Sequence, residues 1–266
     1  VEAAVELKNE IERLRTSAEV TAAEFILTSS SVDSPPKTNK VTKVIAEPQR
    51  VDPLKSLRGS LVLYYSFDGS LGKTVMDKSG KGHEGRVHGA KWTQKGKVGG
   101  ACEFSGKGNC ISIPDSPKFD FGTSDFTISA WISPRKNAQT AIVGKSTAND
   151  RGYFFTQERN GLQFLAGAGG DWSVNTHSSS GLTLNAWNHV VVSQDSGRIC
   201  FWIDGVSCGG GRGGTVNGDA TDLLIGGSSW ADYLDFKGLI DEVMIFDRAL
   251  SAEEVKQIYD AQRGRR

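Results

Sequence analysis

The chain has 266 residues, which suits one large domain or one domain with a short accessory segment. Hydrophobic residues make up 38% and charged residues 23%, enough apolar material for a core, and this excludes a wholly disordered chain. Lysine plus arginine and aspartate plus glutamate number 31 each, so there is no overall basic field to draw nucleic acid, and no apolar run approaches the roughly 18 residues that span a bilayer.

Taken in chain order, residues 1–28 differ in texture from the rest. Ala4, Leu7, Ile11, Leu14, Ala18, Thr21 and Phe25 recur at alternating steps of three and four, with Glu6, Lys8, Glu10, Glu12, Arg13 and Arg15 around them. This spacing predicts an amphipathic helix of coiled-coil type. Such a helix is marginal alone, so it needs a surface: its own globular domain, or another helix in a stalk or in self-association through residues 1–27. Residues 29–60 hold Pro35, Pro36, Pro48 and Pro53 and no sustained period; they read as a linker, with a short strand at 41–45. The start at Val1, without a charged-then-apolar leader, reads as a mature product or a trimmed chain.

The compact domain is predicted over 61–266. Phe126, Ile128, Ala130 and Ile132 alternate with Thr127, Ser129, Trp131 and Ser133, the period-2 signature of a strand. Further strands are predicted at 61–67, 101–105, 110–114, 152–157, 162–166, 189–193, 199–203, 222–225 and 238–246. Turn pairs such as Asp68-Gly69, Asn160-Gly161, Asp204-Gly205 and Asn217-Gly218 separate them, because Asn, Asp and Gly tolerate positive φ. Many short strands without intervening helices point to an all-β, two-sheet antiparallel jelly-roll sandwich. One short helix closes it: Ser251 and Glu254 form a capping box, Leu250 is placed to staple onto Val255, and Val255, Ile258 and Tyr259 make the buried face. Gly209-Gly210-Gly211, lacking a strand-to-helix context, reads as a flexible loop and not a phosphate cradle.

The four cysteines fall into two close pairs, Cys102 with Cys110 and Cys200 with Cys208, each flanking a turn. Even parity and proximity suggest two disulfides in an oxidising, extracellular compartment, with free thiols in a cytosolic protein as the alternative. Strand parity argues against a flat Cys102–Cys110 bridge without a bulge; pairing of Cys110 with Cys200 or Cys208 is the alternative.

Seven ordered strings carry a resemblance. They are Leu61 through Gly69, Asp77-Lys78-Ser79-Gly80-Lys81-Gly82-His83, Gly99 through Phe104, Phe121 through Trp131, Trp187-Asn188-His189-Val190, Trp202-Ile203-Asp204-Gly205, and Gly238 through Ser251. Together they resemble the laminin G-like, concanavalin A-like jelly-roll family over about residues 61–260. The resemblance implies a structural calcium ion tying the first and last strands, held by Asp68 and Asp241 with backbone carbonyls near Lys81 and His83. Calcium takes six to eight oxygen ligands, so two carboxylates with carbonyls and water are chemically adequate. Lys81 and His83 stand where the family has asparagines, and Asp77 either joins the shell or caps the turn.

The family spans adhesins, lectin-like modules, enzyme appendages and scaffolds, so function rests on the sites. Loop aromatics Trp172, Trp230 and Tyr233, flanked by Asp and Ser, are the candidate contacts for a glycan or protein ligand, whereas Trp131, Trp187 and Trp202 sit in strand motifs and read as packing groups. No nucleophile elbow, P-loop or His-Glu-x-x-His string occurs. Asp241 and Glu242 are adjacent, so a regular strand sends them to opposite faces, unlike the facing carboxylates of a glycosidase. The sequence therefore reads as a non-enzymatic, extracellular or cell-surface recognition module. The alternatives are the head of a stalk, filament or pilin-like subunit, and a non-catalytic appendage of a carbohydrate-active enzyme.

Overall fold

The computed structural model describes residues 54–69, 71–147, 151–216, 218, 220–229 and 231–265. The helix predicted over 1–28, and the linker as far as residue 53, lie outside the described residues.

Two eight-stranded sheets make up the domain, and every pairing is antiparallel. The first contains β1 (Leu61–Tyr65), β4 (Lys91–Thr93), β5 (Ala101–Ser105), β7 (Phe126–Pro134), β12 (Asn188–Asp195), β13 (Arg198–Ile203), β14 (Val206–Arg212) and β16 (Lys237–Phe246). Its order is β14-β13-β12-β7-β16-β5-β4, with β1 also on β16. The second contains β2 (Thr74–Val75), β3 (Gly85–His88), β6 (Cys110–Ile113), β8 (Thr140–Thr147), β9 (Arg151–Glu158), β10 (Gly161–Ala168), β11 (Val174–His177) and β15 (Leu223–Ile225). Its order is β11-β10-β9-β8-β15-β6-β3-β2. This is the jelly-roll sandwich that the strand count and turn spacing predict.

Alternate residues of both sheets meet in one core. Ile128, Ala130 and Ile132 from β7 and Val190 and Val192 from β12 join Tyr153, Phe155, Leu162 and Phe164 of the opposite sheet. β7 is buried along its whole length because its outer face is covered too. The cover is the single α-helix among the described residues, α1 (Ala252–Arg263), whose Val255 and Ile258 pack with Leu250, Val191, Trp202, Met244 and Phe246. Burying each such aliphatic side chain is worth about 1.5–3 kcal/mol. Both halves of the predicted capping box are present: the Ser251 side chain accepts from Glu254 N, and Ser251 N donates to Glu254 Oε2.

Three readings of the sequence change. Leu54 and Leu57, assigned to the linker, are buried in the cluster beneath α1, so the packed domain starts before residue 61. Gly209, Gly210 and Gly211 are strand residues of β14 and not a loop, with Gly210 opposite Cys200 and Gly211 opposite Ile199. Glycine is required there because a Cβ on Gly210 would lie 2.0 Å from the Ile199 carbonyl oxygen. Asp241 and Glu242 share one face of β16, because a bulge adds a residue between Asp241, opposite Trp131, and Met244, opposite Ser129.

Candidate binding groove and acidic junction

On the outer face of the second sheet, Phe154 of β9 stands opposite Leu165 of β10, which stands opposite Asn175 of β11. Phe154, Leu165, Ala141, Ala231 and Leu234 form a small apolar cluster against which Trp172 packs, its ring 5.8 Å from that of Phe154. A 3₁₀ turn over Asp232–Leu234 buries Leu234 and leaves Tyr233 62% exposed. Trp172 and Tyr233, distant in sequence, thus line one groove of about 250 Å³ with Gln139, Gln163, Asn175 and Leu234. Trp230 lies outside the described residues.

The floor of this groove is a relay of side-chain amides. Gln139 Nε2 donates to Gln163 Oε1 at 2.7 Å, Thr156 Oγ1 donates to the same oxygen at 3.2 Å, and Gln163 Nε2 donates to Asn175 Oδ1 at 2.9 Å. Gln163 is 4% exposed, so its amide is fixed and orders the two outer ones. Gln139 Oε1 and Asn175 Nδ2 then keep hydrogen-bonding capacity that no described residue uses: one acceptor and one donor beside two aromatic rings. The sequence reading missed all three amides. Their signal was the placement of Gln163 between Leu162 and Phe164, the outward parity of β10.

The residues of the other predicted site are engaged with protein partners. Asp241 is fully buried; its Oδ2 accepts from Lys97 N at 2.9 Å and Val98 N at 3.0 Å, and its Oδ1 from Glu242 N at 2.8 Å. Asp68 is half-exposed and pairs with Lys78 Nζ at 3.2 Å. The His83 carbonyl accepts from the Tyr65 hydroxyl, its ring lies against Phe119, and Lys81 is exposed. Asp77 caps the turn, accepting from Tyr64 N, Ser79 N, Ser79 Oγ and His83 N. Burial works against its charge, but these bonds, led by Ser79, hold its carboxyl below the usual range. Among the described residues no group of three or more His, Cys, Asp or Glu side chains is arranged to hold a metal ion. Of the carboxylates expected to hold calcium, Asp241 thus has both oxygens engaged by backbone N–H groups and Asp68 is paired with Lys78.

What occupies the junction is a buried acid pair. Glu242 is 2% exposed; its Oε2 accepts from the Tyr64 hydroxyl at 2.9 Å and from Gln262 of α1, while Oε1 has no partner among the described residues. Burial, then the neighbouring Glu242 charge, pushes Asp241 up to about 8. Burial, then the charge of Asp68, pushes Glu242 up to about 7 against the lowering bond from Tyr64. Nearby, His189 is buried beside Ser129 Oγ, 2.9 Å from its Nε2, and desolvation holds it neutral with a pKa near 3.

All four cysteines are free thiols, which corrects the expected disulfides. Cys102 lies on β5 of the first sheet and Cys110 on β6 of the second. Cys208 points into the central core, whereas Cys200 faces the cluster under α1: with Trp202 opposite Ser207, Cys208 falls beside core-facing Phe201 and on the face opposite to Cys200. Burial pushes every one of these thiols up, Cys208 to about 11, which keeps them unreactive.

A family model described as the concanavalin A-like lectin/glucanases superfamily, of laminin G type, matches residues 105–256. The chain belongs to this superfamily. A stretch of 148 residues, 52% of the chain, is 24% identical to adhesion G-protein coupled receptor V1 of Danio rerio and covers 2% of that receptor. The binding domain of Paraclostridial mosquitocidal protein 1 superposes with a TM-score of 0.64 at 18% identity, over 77% of this chain and 53% of that one. Domain 4 of an extracellular arabinanase from Geobacillus stearothermophilus, solved with arabinotriose, superposes with a TM-score of 0.60 at 22% identity, over 75% of this chain and 98% of that one. At these identities the two solved structures share the superfamily's fold with this chain. The chain thus spans a small fraction of the receptor and about half of the mosquitocidal binding-domain chain.

Proposed function

We propose that this superfamily member is a non-catalytic, extracellular recognition module whose ligand is a glycan seated between Trp172 and Tyr233. The observation that carries the reading is the amide relay flanked by two aromatic rings in one groove. Aromatic faces stack on the apolar C–H faces of a sugar ring, and its hydroxyls both donate and accept, matching Asn175 Nδ2 and Gln139 Oε1. The arabinanase domain solved with arabinotriose and the mosquitocidal binding domain support recognition as the role of such a sandwich. The buried state of Asp241 and Glu242 supports a non-catalytic reading, since α1 covers the pair and leaves no cleft in which they could flank a glycosidic bond.

An array of mono- and oligosaccharides, followed by calorimetry on the best binder, tests this. Trp172→Ala is expected to weaken binding at least about tenfold, the loss of one well-packed aromatic contact. Binding unchanged in Trp172→Ala, or no glycan bound by the wild type, overturns the assignment and leaves a protein ligand to be sought. A second reading, an appendage of a carbohydrate-active enzyme, is favoured by the near-complete coverage of the arabinanase domain. It requires a hydrolase domain elsewhere in the parent reading frame.

A further inference from the structure

The groove does not end at Asn175. On β10 the next outward position after Leu165 and Gln163 is Gly161, opposite Glu158, and Gln163 stands opposite His177 of β11 with Nε2 atoms 3.5 Å apart. At that end of the sheet lies a cavity of about 740 Å³ whose walls include Asn137, Glu158, Arg159, Asn160, His177 and Ser180. From Leu165 to Gly161 the strand advances roughly 13 Å, a length that outreaches a single sugar ring.

The cavity is pre-formed. The β9–β10 turn holds Arg159 at φ +48°, and Leu182 N donates to the Asn160 carbonyl. Ser178 Oγ accepts from Leu162 N and donates to the Ser180 carbonyl, both at 2.9 Å, and Ser179 N donates to the Cys208 carbonyl at 2.7 Å, tying the loop to both sheets. His177 Nδ1 pairs with Glu158 at 2.9 Å. The side chains of Asn137, Arg159 and Asn160 make no hydrogen bond among the described residues and border this space, whose lining includes no Trp, Tyr or Phe. Its wall sets hydroxyls and amides beside the Glu158 carboxylate, the Arg159 guanidinium and the His177 imidazole, all groups that hydrogen-bond a polyol end, whereas the Trp172 end complements a sugar face.

We infer that this cavity is a second subsite of the same binding site, and that the ligand is a linear oligosaccharide lying along β10 from Trp172 and Tyr233 to Asn160. The inference rests on the glycan reading of the groove. A fixed loop lowers the ordering cost of binding, so the subsite adds affinity only for ligands long enough to reach it.

The test is calorimetry with a monosaccharide and the matching trisaccharide, arabinose and arabinotriose first and then the series chosen by the array. The proteins are wild type, Trp172→Ala and the double variant Asn137→Ala/Asn160→Ala, each checked for an unchanged melting profile. The double variant is expected to bind the trisaccharide about tenfold more weakly, the scale of one or two lost hydrogen bonds, with monosaccharide affinity unchanged. Wild type that binds both lengths equally, or a double variant that keeps full trisaccharide affinity while Trp172→Ala loses it, overturns the second subsite and leaves the groove standing. If no saccharide of any length binds the wild type, the glycan reading itself fails and this inference with it.

Discussion

Lys145 shows how much one side chain can constrain the sandwich. It is fully buried on β8, and its Nζ lies 2.9 Å from Asp115 Oδ1 and 2.7 Å from Asp120 Oδ1, both carboxylates being about one-third exposed. The two sides of this ion cluster are not equivalent. Removing both charges in Asp115→Asn/Asp120→Asn withdraws two carboxylates from an ammonium buried in the core, with an expected loss of up to about 3–5 kcal/mol in urea unfolding. Lys145→Met replaces the stem with apolar volume and leaves carboxylates that water can solvate, so it is expected to cost less. The reverse order would show that the lysine is held by contacts other than these carboxylates. Lys145 also explains why β8 escaped the sequence reading. Thr140 through Ser146 are all buried, with a bulge between Ala141 and Val143, so no polar–apolar alternation marks the strand.

At the scale of elements, α1 was legible because its signals are local. The capping box, the staple residues Leu250 and Val255, and the Val255–Ile258 stripe all lie within nine residues, from Leu250 to Ile258. What α1 covers was not legible. Gln262 Oε1 accepts from Trp131 Nε1 at 2.8 Å, Tyr259 stacks over Trp131 at 5.7 Å, and Gln262 reaches Glu242 from above. Ser251→Ala removes the N-cap acceptor and is expected to cost about 1 kcal/mol, read as a lowered urea midpoint with an unchanged slope. A lowered slope instead would mean that α1 undocks as a unit. β14 shows the opposite case. Its three glycines read as a loop, and only pairing with β13 makes them a strand, since the close approach to Ile199 admits no side chain.

For the whole molecule, the acid pair under α1 sets a pH dependence. Asp241 and Glu242 have folded pKa values raised to about 8 and about 7, above the unfolded values of 3.8 and 4.5. Between about pH 4 and 8 this pair therefore binds more protons in the folded state than in the unfolded one and favours folding as pH falls, while neutral His189, with its pKa lowered to about 3, opposes it below about pH 6.5. Asp77 acts in the other direction: its lowered pKa stabilises the fold above pH 3.8 and loses that contribution as pH falls further. The melting temperature is expected to be higher at pH 5.5 than at pH 8.5, and Glu242→Gln to flatten the slope by removing one buried charge. A melting temperature that climbs towards pH 8.5 would show that these carboxylates are solvated or paired in solution.

The sequence by itself determined the fold class, the closing helix and two of the groove residues, because period-2 alternation, turn chemistry and capping are written in short windows. Trp172 and Tyr233 stood out as aromatics in polar loops, and the structure places both on one groove. The partners of Trp172 and Tyr233 were decided by tertiary structure alone. Gln139, Gln163 and Asn175 come from three segments, and only the pairing registers that link β8, β9, β10 and β11 align their amides. The same holds for Asp241 and Glu242. Alternation sends neighbours to opposite faces, and the bulge opposite Trp131 and Ser129 returns them to one. A bulge is a property of two paired strands, and neither strand's sequence carries it alone.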